Sequence, residues 1–160
     1  MTDTATPQPE LPPIQVNEQY VKDLSFEVPD APKIFMDMQG NNPEIPIHVD
    51  VNATAMGQNL YEVVLHLRVE AKLPTQTVFI VELAYGGLFT LNVPEEHVHP
   101  VLMIECPRLL FPFARNIVAD MTRNGGFPPL MIQPLDFVAL YRARMEEMAA
   151  QQPQGGDATA

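Results

Sequence analysis

The stretch ECPRLLFPFARNIVADMTRNGGFPPLMIQPLD, residues 105–136, decides the fold because no other part of the chain is as apolar. Apolar side chains recur there at the spacing of one helix face; they are Leu110, Phe113, Ile117 and Met121. The pattern predicts a long helix that ends at the glycine pair 125–126. Pro107 suits a first turn, whereas the deeper Pro112 is expected to kink the helix or delay its start. Because apolar residues cover most of its circumference, this helix needs contacts on more than one side.

Four strands are predicted upstream of the helix, where apolar and polar residues alternate. The first spans about residues 15–28, and turns at residues 56–59 and 73–76 separate the other three. Short turns between alternating strands favour an antiparallel sheet with one covered face and one solvated face. The segment 29–46 contains four prolines, so we expect an irregular connection without a helix. Residues 92–100 are expected to form a loop.

A second helix is predicted over residues 135–148, with Asp136 near the positive end of its dipole. Strands followed by helices indicate an α+β domain. We therefore expect a four-stranded antiparallel sheet packed by a long kinked helix and a shorter C-terminal helix, in one domain over residues 14–148. Residues 1–13 and 149–160 are rich in Pro, Gln, Gly and Ala and are expected to be disordered tails.

Composition restricts the class of protein. The formal net charge is -11 over 160 residues, which argues against a nucleic-acid partner. Cys106 is the only cysteine, so no intrachain disulfide can form, as is typical of a reducing cytosol. No apolar run approaches the ~20 residues of a membrane helix, and the first residues do not resemble a signal peptide. We expect a cytoplasmic protein that does not insert into membranes.

Catalytic and metal-binding patterns are weak. His97 and His99 could face a metal from one strand, but no third ligand follows at a matching distance, and zinc sites use three or four. Cys106 is interpreted as a small buried hydrophobe rather than a nucleophile. The chain has no phosphate-cradling glycine loop, serine elbow or catalytic carboxylate pair. We therefore expect no metal and no enzyme; an enzymatic or small-ligand-binding α+β domain with an apolar pocket is the alternative.

Two surfaces are candidate binding sites. In the first strand, Tyr20, Leu24, Phe26 and Val28 are predicted on the inner sheet face, and Gln19, Asp23, Ser25 and Glu27 on the outer face. Glu82 is also predicted outward, beside Val78 and Ile80. Acids with apolar neighbours suit docking of a basic partner; the alternative is an ordinary solvated face, which also holds Arg68 and Lys72.

The second candidate surface is rich in methionine. Its residues are Ile34, Phe35, Met36 and Met38 in the long connection and Met145 and Met148 in the second helix. Flexible thioethers suit surfaces that accept many partners. The alternative is a loop folded over the core.

Several segments resemble the SecB family of bacterial protein-export chaperones. They are KDLSFEVPDAPKIF (22–35), YEVVLHLRVEA (61–71), TVFIVELAYGGLF (77–89), CPRLLFPFARNIVADMTRNGGFPPLMIQPLDF (106–137) and ALY (139–141). The resemblance covers about residues 16–148. It implies a homotetramer, a dimer of dimers with its long helices between sheets, which would supply the missing helix contacts. It also implies a holdase that binds unfolded precursors of exported proteins and delivers them to the SecA motor, without a nucleotide or cofactor.

The resemblance also assigns site residues. The SecA-docking positions correspond to Asp23, Glu27 and Glu82, with Ile80 at the apolar position beside Glu82. Strand positions that affect tetramer assembly correspond to Val81, Leu83 and Tyr85, to be joined by the helix stripe Leu110, Phe113, Ile117 and Met121. The client groove corresponds to Ile34, Phe35, Met36, Phe137, Leu140 and Tyr141. The C-terminal tail has only Asp157 as an acid, so we expect no auxiliary contact from an acidic tail.

Overall fold

A computed structural model describes residues 7–152, and the remainder of both predicted tails lies outside the described residues. Its strands are β1 (Ile14–Glu27), β2 (Ile47–Gly57), β3 (Leu60–Leu73) and β4 (Gln76–Leu91). Its helices are α1 (Lys33–Asp37), α2 (Glu95–Pro100), α3 (Cys106–Asn124) and α4 (Phe137–Gln151), and a π-helical segment, Val101–Glu105, joins α2 to α3. The strands form one antiparallel sheet in the order β1-β4-β3-β2. The predicted α+β architecture with a four-stranded antiparallel sheet is confirmed.

The core lies between one face of the sheet and α3. Alternate residues of β3 and β4 bury their side chains there, as the period of two predicts; they include Val63, Leu65, Leu67, Val69, Val81, Leu83 and Phe89. Leu110, Ala114 and Val118 of α3 are buried against them. We call this the inner face of the sheet and the opposite side the outer face. No helix within residues 7–152 is long and apolar enough to cross a membrane.

β1 departs from the predicted alternation. Two register shifts against β4 fall within residues 16–23, and each inserted residue reverses which face the next side chain takes. Tyr20 therefore lies opposite Gly86 on the outer face, whereas Gln19 lies opposite Gly87 on the inner face. The prediction was wrong for Tyr20 and Gln19. After the second shift, the alternation returns to the predicted phase.

The connection between β1 and β2 contains a helix that was not predicted. Pro32 precedes α1 directly, where its missing N–H costs no helical hydrogen bond. Ile34 N–H donates to the Asp30 carbonyl at 2.9 Å, and Met38 N–H donates to the Ile34 carbonyl at 2.9 Å. The buried side chain of Ile34 anchors this turn in the core. The prolines that excluded a helix from the prediction are compatible with this short one because Pro32 lies at its start.

The helical region after β4 begins about twelve residues earlier than predicted. Residues 95–100 are helical rather than a loop, and two acids occupy the first turn of α2, where the helix dipole favours negative charge. Pro100 lacks an N–H, and a π-helical turn follows it directly, marked by Cys106 N–H donating to the Val101 carbonyl. α3 continues through Pro112, so this proline does not delay the start of the helix, and the expected kink stays a prediction.

The C-terminal end of α3 and the start of α4 agree with the predicted signals. α3 ends at Asn124, directly before the predicted glycine pair, and Gly126 takes a φ of 93°, a conformation that favours glycine. Asp136 is the N-cap of α4, and its carboxylate accepts a hydrogen bond from Ala139 N–H at 3.0 Å. α4 continues to Gln151, three residues beyond the predicted end.

Candidate functional site

The residues predicted for docking lie together on the outer face. In the pairing of β1 with β4, Glu27 is opposite Ile80 and Asp23 is opposite Ala84, with Glu82 between these two pairs. We call Asp23, Glu27, Ile80 and Glu82 the acidic patch. All three carboxylates are exposed, and Ile80 is partly buried between them. The arrangement presents negative charge around one apolar side chain on a flat sheet surface.

Val78 does not belong to this patch. The pairing of β3 with β4 shifts between Ala71 and Lys72, and Val78 is the β4 residue left without an opposite partner. Its side chain is fully buried in the core. The prediction that Val78 faces outward was wrong because this bulge changes the alternation near the start of β4.

Glu82 differs from the other acids of the patch because it is paired within the chain. Arg68 lies opposite it on β3 and donates from Nη1 to Glu82 Oε1 at 2.5 Å, while its Nη2 donates to Glu70 Oε2 at 3.0 Å. The sequence identified Arg68 only as part of a solvated face. A two-residue turn at the β3–β4 hairpin would place Arg68 opposite Val81, and the bulge shifts it by one residue to Glu82. Only with this shift do the inward-facing residues of β3 lie opposite the inward-facing residues of β4. The sequence therefore contained a signal for the shift.

A second charge cluster lies beside the acidic patch on the outer face. The Tyr20 hydroxyl and Lys22 Nζ both donate to the Glu62 carboxylate, the lysine at 2.8 Å. Tyr20 reaches Glu62 on β3 by crossing Gly86 of β4, and a Cβ at that glycine would lie 2.5 Å from the tyrosine ring. Burial, followed by the bond to Glu62, raises the pKa of Tyr20 to about 12. The bonds from Lys22 and Tyr20 lower the pKa of Glu62. This carboxylate is therefore ionised, and its negative charge is balanced within the chain by Lys22.

The six residues predicted for the client groove differ in accessibility. Ile34 and Phe137 are 0% and 1% exposed, so in this arrangement they support the surface from below and do not present it. Phe35 is partly open and packs on Phe127, with ring centroids 5.2 Å apart, and Phe127 packs on Phe79 at 5.1 Å. Phe127 was not predicted to belong to this surface, although it lies directly after the glycine pair, in the apolar connector.

Three of the four accessible groove residues line two different cavities. Met36 lies with Gln76 in a cavity beside the β3–β4 turn. Leu140 and Tyr141 line a cavity of about 330 Å³ between α4 and β2, one of the two edge strands of the sheet. The Tyr141 hydroxyl lies 3.2 Å from His99 Nδ1. Each cavity therefore presents exposed apolar side chains, and their joint use as one groove stays a prediction.

The residues predicted for the subunit interface fall into two groups. Val81, Leu83, Tyr85 and Leu110 are buried in the chain's own core. Of the α3 stripe, Phe113 is 50% exposed, and Ile117 and Met121 are partly buried. The Phe113 ring stacks on Tyr85, with centroids 6.3 Å apart. A second copy of the chain could thus contact the exposed part of the stripe directly, whereas the buried group would act on assembly only through the core.

Cys106 lies in the core, whereas the two histidines are exposed on a helix. Cys106 is fully buried, as predicted, and burial raises the pKa of its thiol to about 12. His97 and His99 lie in α2 rather than on a strand. Within residues 7–152, no three His, Cys, Asp or Glu side chains are grouped so that they could hold a metal ion.

Comparison with known proteins gives one consistent result. The family model described as preprotein translocase subunit SecB matches residues 7–148. The chain is 70% identical to the protein-export protein SecB of Paramagnetospirillum magneticum, over 96% of this chain and 99% of that protein. It is 56% identical to the protein of the same name from Rhodospirillum rubrum, over 93% of this chain and 92% of that protein.

A solved structure has the same fold. It is a SecB-like chaperone of Mycobacterium tuberculosis in complex with a ChAD peptide from an antitoxin. The TM-score is 0.59 at 20% identity, over 77% of this chain and 91% of that chain.

Proposed function

This chain belongs to the SecB family of protein-export chaperones, and from that premise we propose that it is a holdase that binds unfolded precursor proteins in the cytoplasm and delivers them to SecA. The proposal has two parts, a client surface and a docking surface. They lie at different places in the fold, so that a client and the motor can be bound together.

One observation carries the client surface: large apolar side chains are exposed along the α1 region and α4. Phe35, Met36 and Leu140 are 39%, 64% and 40% exposed. A leucine- or phenylalanine-sized client side chain that leaves water for such a surface contributes roughly 1.5–3 kcal/mol. Methionine adapts its shape to different side chains. These contacts require no particular client sequence.

Selectivity for unfolded chains follows from exposure. A folded precursor buries the apolar side chains that this surface would bind, so the chaperone binds the unfolded state and slows folding by mass action. In the proposed homotetramer, a dimer of dimers, several copies of the surface engage one long client. Such multivalent binding raises the overall affinity without any new type of contact.

The acidic patch is the proposed docking surface for SecA. Asp23, Glu27 and Glu82 are exposed on one sheet face, around Ile80. Their charge attracts a basic partner surface and orients it, and the central apolar side chain adds contact area. No residue of the patch belongs to the proposed client surface.

The client surface is tested by titrating the full-length protein into a permanently unfolded, reduced and alkylated model protein. We expect Phe35→Ser and Leu140→Ser each to weaken binding by about tenfold, since each removes one apolar contact. Met56→Ser is the matched control, because Met56 is 56% exposed at the β2–β3 hairpin, away from both cavities. Unchanged affinity in both serine variants would refute the client surface. Failure of the wild-type protein to bind unrelated unfolded chains would favour the ligand-binding alternative.

The docking surface is tested by measuring affinity for purified SecA. Glu82→Lys should weaken the complex at least tenfold, because it reverses a charge at the centre of the patch, and should leave client binding intact. Glu10→Lys makes the same change in net charge in the exposed segment before β1. Equal losses in the two variants would show that net charge, rather than the patch, controls the affinity.

A further inference from the structure

We propose that Arg68 is an internal competitor for the docking carboxylate of Glu82 and thereby limits the affinity of the acidic patch for its cationic partner; this inference rests on the proposed docking function. Arg68 and Glu82 face each other directly across β3 and β4. The guanidinium is therefore the cation that a docking partner meets at this carboxylate.

Arg68 occupies one of the two carboxylate oxygens of Glu82. Arg68 Nη1 donates to Glu82 Oε1, and Arg68 is held from its other side by Glu70, at 3.0 Å from Nη2. Because Glu70 anchors the guanidinium, Arg68 remains beside Glu82 when the partner arrives. A partner cation can reach Glu82 Oε2, but it does so next to an existing positive charge. That neighbour reduces the electrostatic gain from every cation that binds there.

The other acids of the outer face separate into two classes. Glu62 forms an ion pair with Lys22 at 2.8 Å, just as Glu82 forms one with Arg68. Within residues 7–152, Asp23 and Glu27 are in no ion pair with a basic side chain. Negative charge without a counter-ion is thus concentrated on β1, at one edge of the patch. We infer that Asp23 and Glu27 on β1 attract the partner with their full charge. Arg68 reduces the attraction that Glu82 adds.

Removing the competitor should strengthen docking. In Arg68→Gln, the Glu82 carboxylate loses its counter-ion and becomes fully available to the partner. Exposed ion pairs are weak, so we expect the affinity for SecA to rise only roughly two- to fivefold. Arg68→Lys keeps the charge and should stay close to the wild-type affinity. The gain should shrink as ionic strength rises, because salt screens exposed charges.

Lys72→Gln is the matched control. Lys72 lies on the same face of the same strand and pairs with Glu70 at 3.6 Å, but it is not paired with Glu82. Its removal makes the same change in net charge without freeing a docking acid, so we expect a smaller gain than in Arg68→Gln. An equal gain in both variants would overturn the proposal, because net charge would then explain the effect.

A double-mutant cycle with Glu82→Gln separates the inference from its premise. If Arg68 acts through Glu82, Arg68→Gln should give no gain in the Glu82→Gln background. A gain that persists there overturns the inference, and so does unchanged or weakened binding in Arg68→Gln alone. If Glu82→Gln alone leaves SecA affinity unchanged, the inference fails, whereas the docking function itself fails only if Asp23→Asn and Glu27→Asn also leave that affinity unchanged. Far-UV circular dichroism and native mass of each variant verify that fold and assembly are unaltered.

Discussion

At the scale of single residues, Glu62 is a carboxyl whose ionisation is linked to the stability of the fold. Hydrogen bonds from Lys22 and Tyr20 lower the pKa of Glu62 below its ordinary value of 4.5. A carboxyl with a lowered pKa in the folded state stabilises the fold above its unfolded pKa, and this contribution is lost as pH falls through the folded pKa. The stabilising effect of Glu62 should therefore be complete at neutral pH and decline below about pH 4.5.

This gives a prediction for Glu62→Gln. The variant should be less stable than wild type at pH 7, and the difference should disappear as the pH is lowered below the pKa of the folded carboxyl, where wild-type Glu62 is also uncharged. Urea denaturation across this pH range measures the difference. Glu10→Gln, in the exposed segment before β1, should track the wild-type curve. A deficit in Glu62→Gln that is independent of pH would show that the side chain acts through its shape alone.

Single residues also show where the sequence was sufficient and where it was not. Alternation predicted the outward position of Asp23, Glu27 and Glu82. Side chains along a regular strand alternate between its two faces whichever strand it pairs with. It failed for Tyr20 and Val78 because a bulge is a property of the pairing between two strands. The ion pair of Arg68 with Glu82 depends on the pairing of β3 with β4, which the alternation of the two strands indicated but which was not predicted.

At the scale of elements, one buried hydroxyl adds a side-chain link between α3 and the chain that follows it. Thr122 is fully buried; its Oγ1 donates to helix carbonyls of Val118 and Ala119 and accepts a hydrogen bond from Leu130 N–H at 2.9 Å. The hydroxyl thus joins the last turn of the helix to the apolar connector that leads to α4. Loss of this acceptor would leave the Leu130 N–H unpaired in a partly buried position.

Thr122→Val is therefore expected to destabilise the protein by about 1–3 kcal/mol, the usual cost of a buried donor without a partner. Thr122→Ser keeps the hydroxyl and removes only a methyl group, so it should lose less. Chemical denaturation gives both free energies of unfolding. Hydrogen exchange at Leu130 adds a local measurement, since its amide should exchange faster in the valine variant only. Equal stability of the Thr122→Val variant and the wild-type protein would contradict this role of the hydroxyl.

The elements were predicted unevenly, for a physical reason. The period of the apolar residues specified β2 to β4 and the end of α3. Proline was treated as a helix breaker in residues 29–46, and this hid α1; residues 92–100 were predicted as a loop, and this hid α2. In both places a proline lies where the loss of its N–H is tolerated: Pro32 at a helix start, and Pro100 directly before a π-helical turn. Composition alone does not distinguish such a proline from one that ends a helix.

At the scale of the whole molecule, the two faces of the sheet differ in what covers them. The inner face is covered by α3, whose far side remains partly open, and the outer face carries the acidic patch. A net charge of -11 keeps such a molecule dispersed while it exposes apolar surface. Apolar side chains surround most of the helix within residues 105–136. This is consistent with a subunit interface on the side of α3 that its own sheet leaves uncovered.

The final prediction concerns that interface. Phe113 stacks on Tyr85 of the sheet but is half exposed on α3, so a second copy of the chain would bury the rest of its ring. A carboxylate buried at an interface without a partner is costly, and Phe113→Glu should convert the proposed homotetramer into smaller species at micromolar concentration.

Leu109→Glu, at a residue 42% exposed on the same helix, provides a second variant in case the loss of the Tyr85 stacking affects the fold. Leu11→Glu, in the segment before β1, is the matched control and should assemble as wild type. Native mass spectrometry reads the subunit number directly, and an intact tetramer in both helix variants would place the interface elsewhere on the molecule.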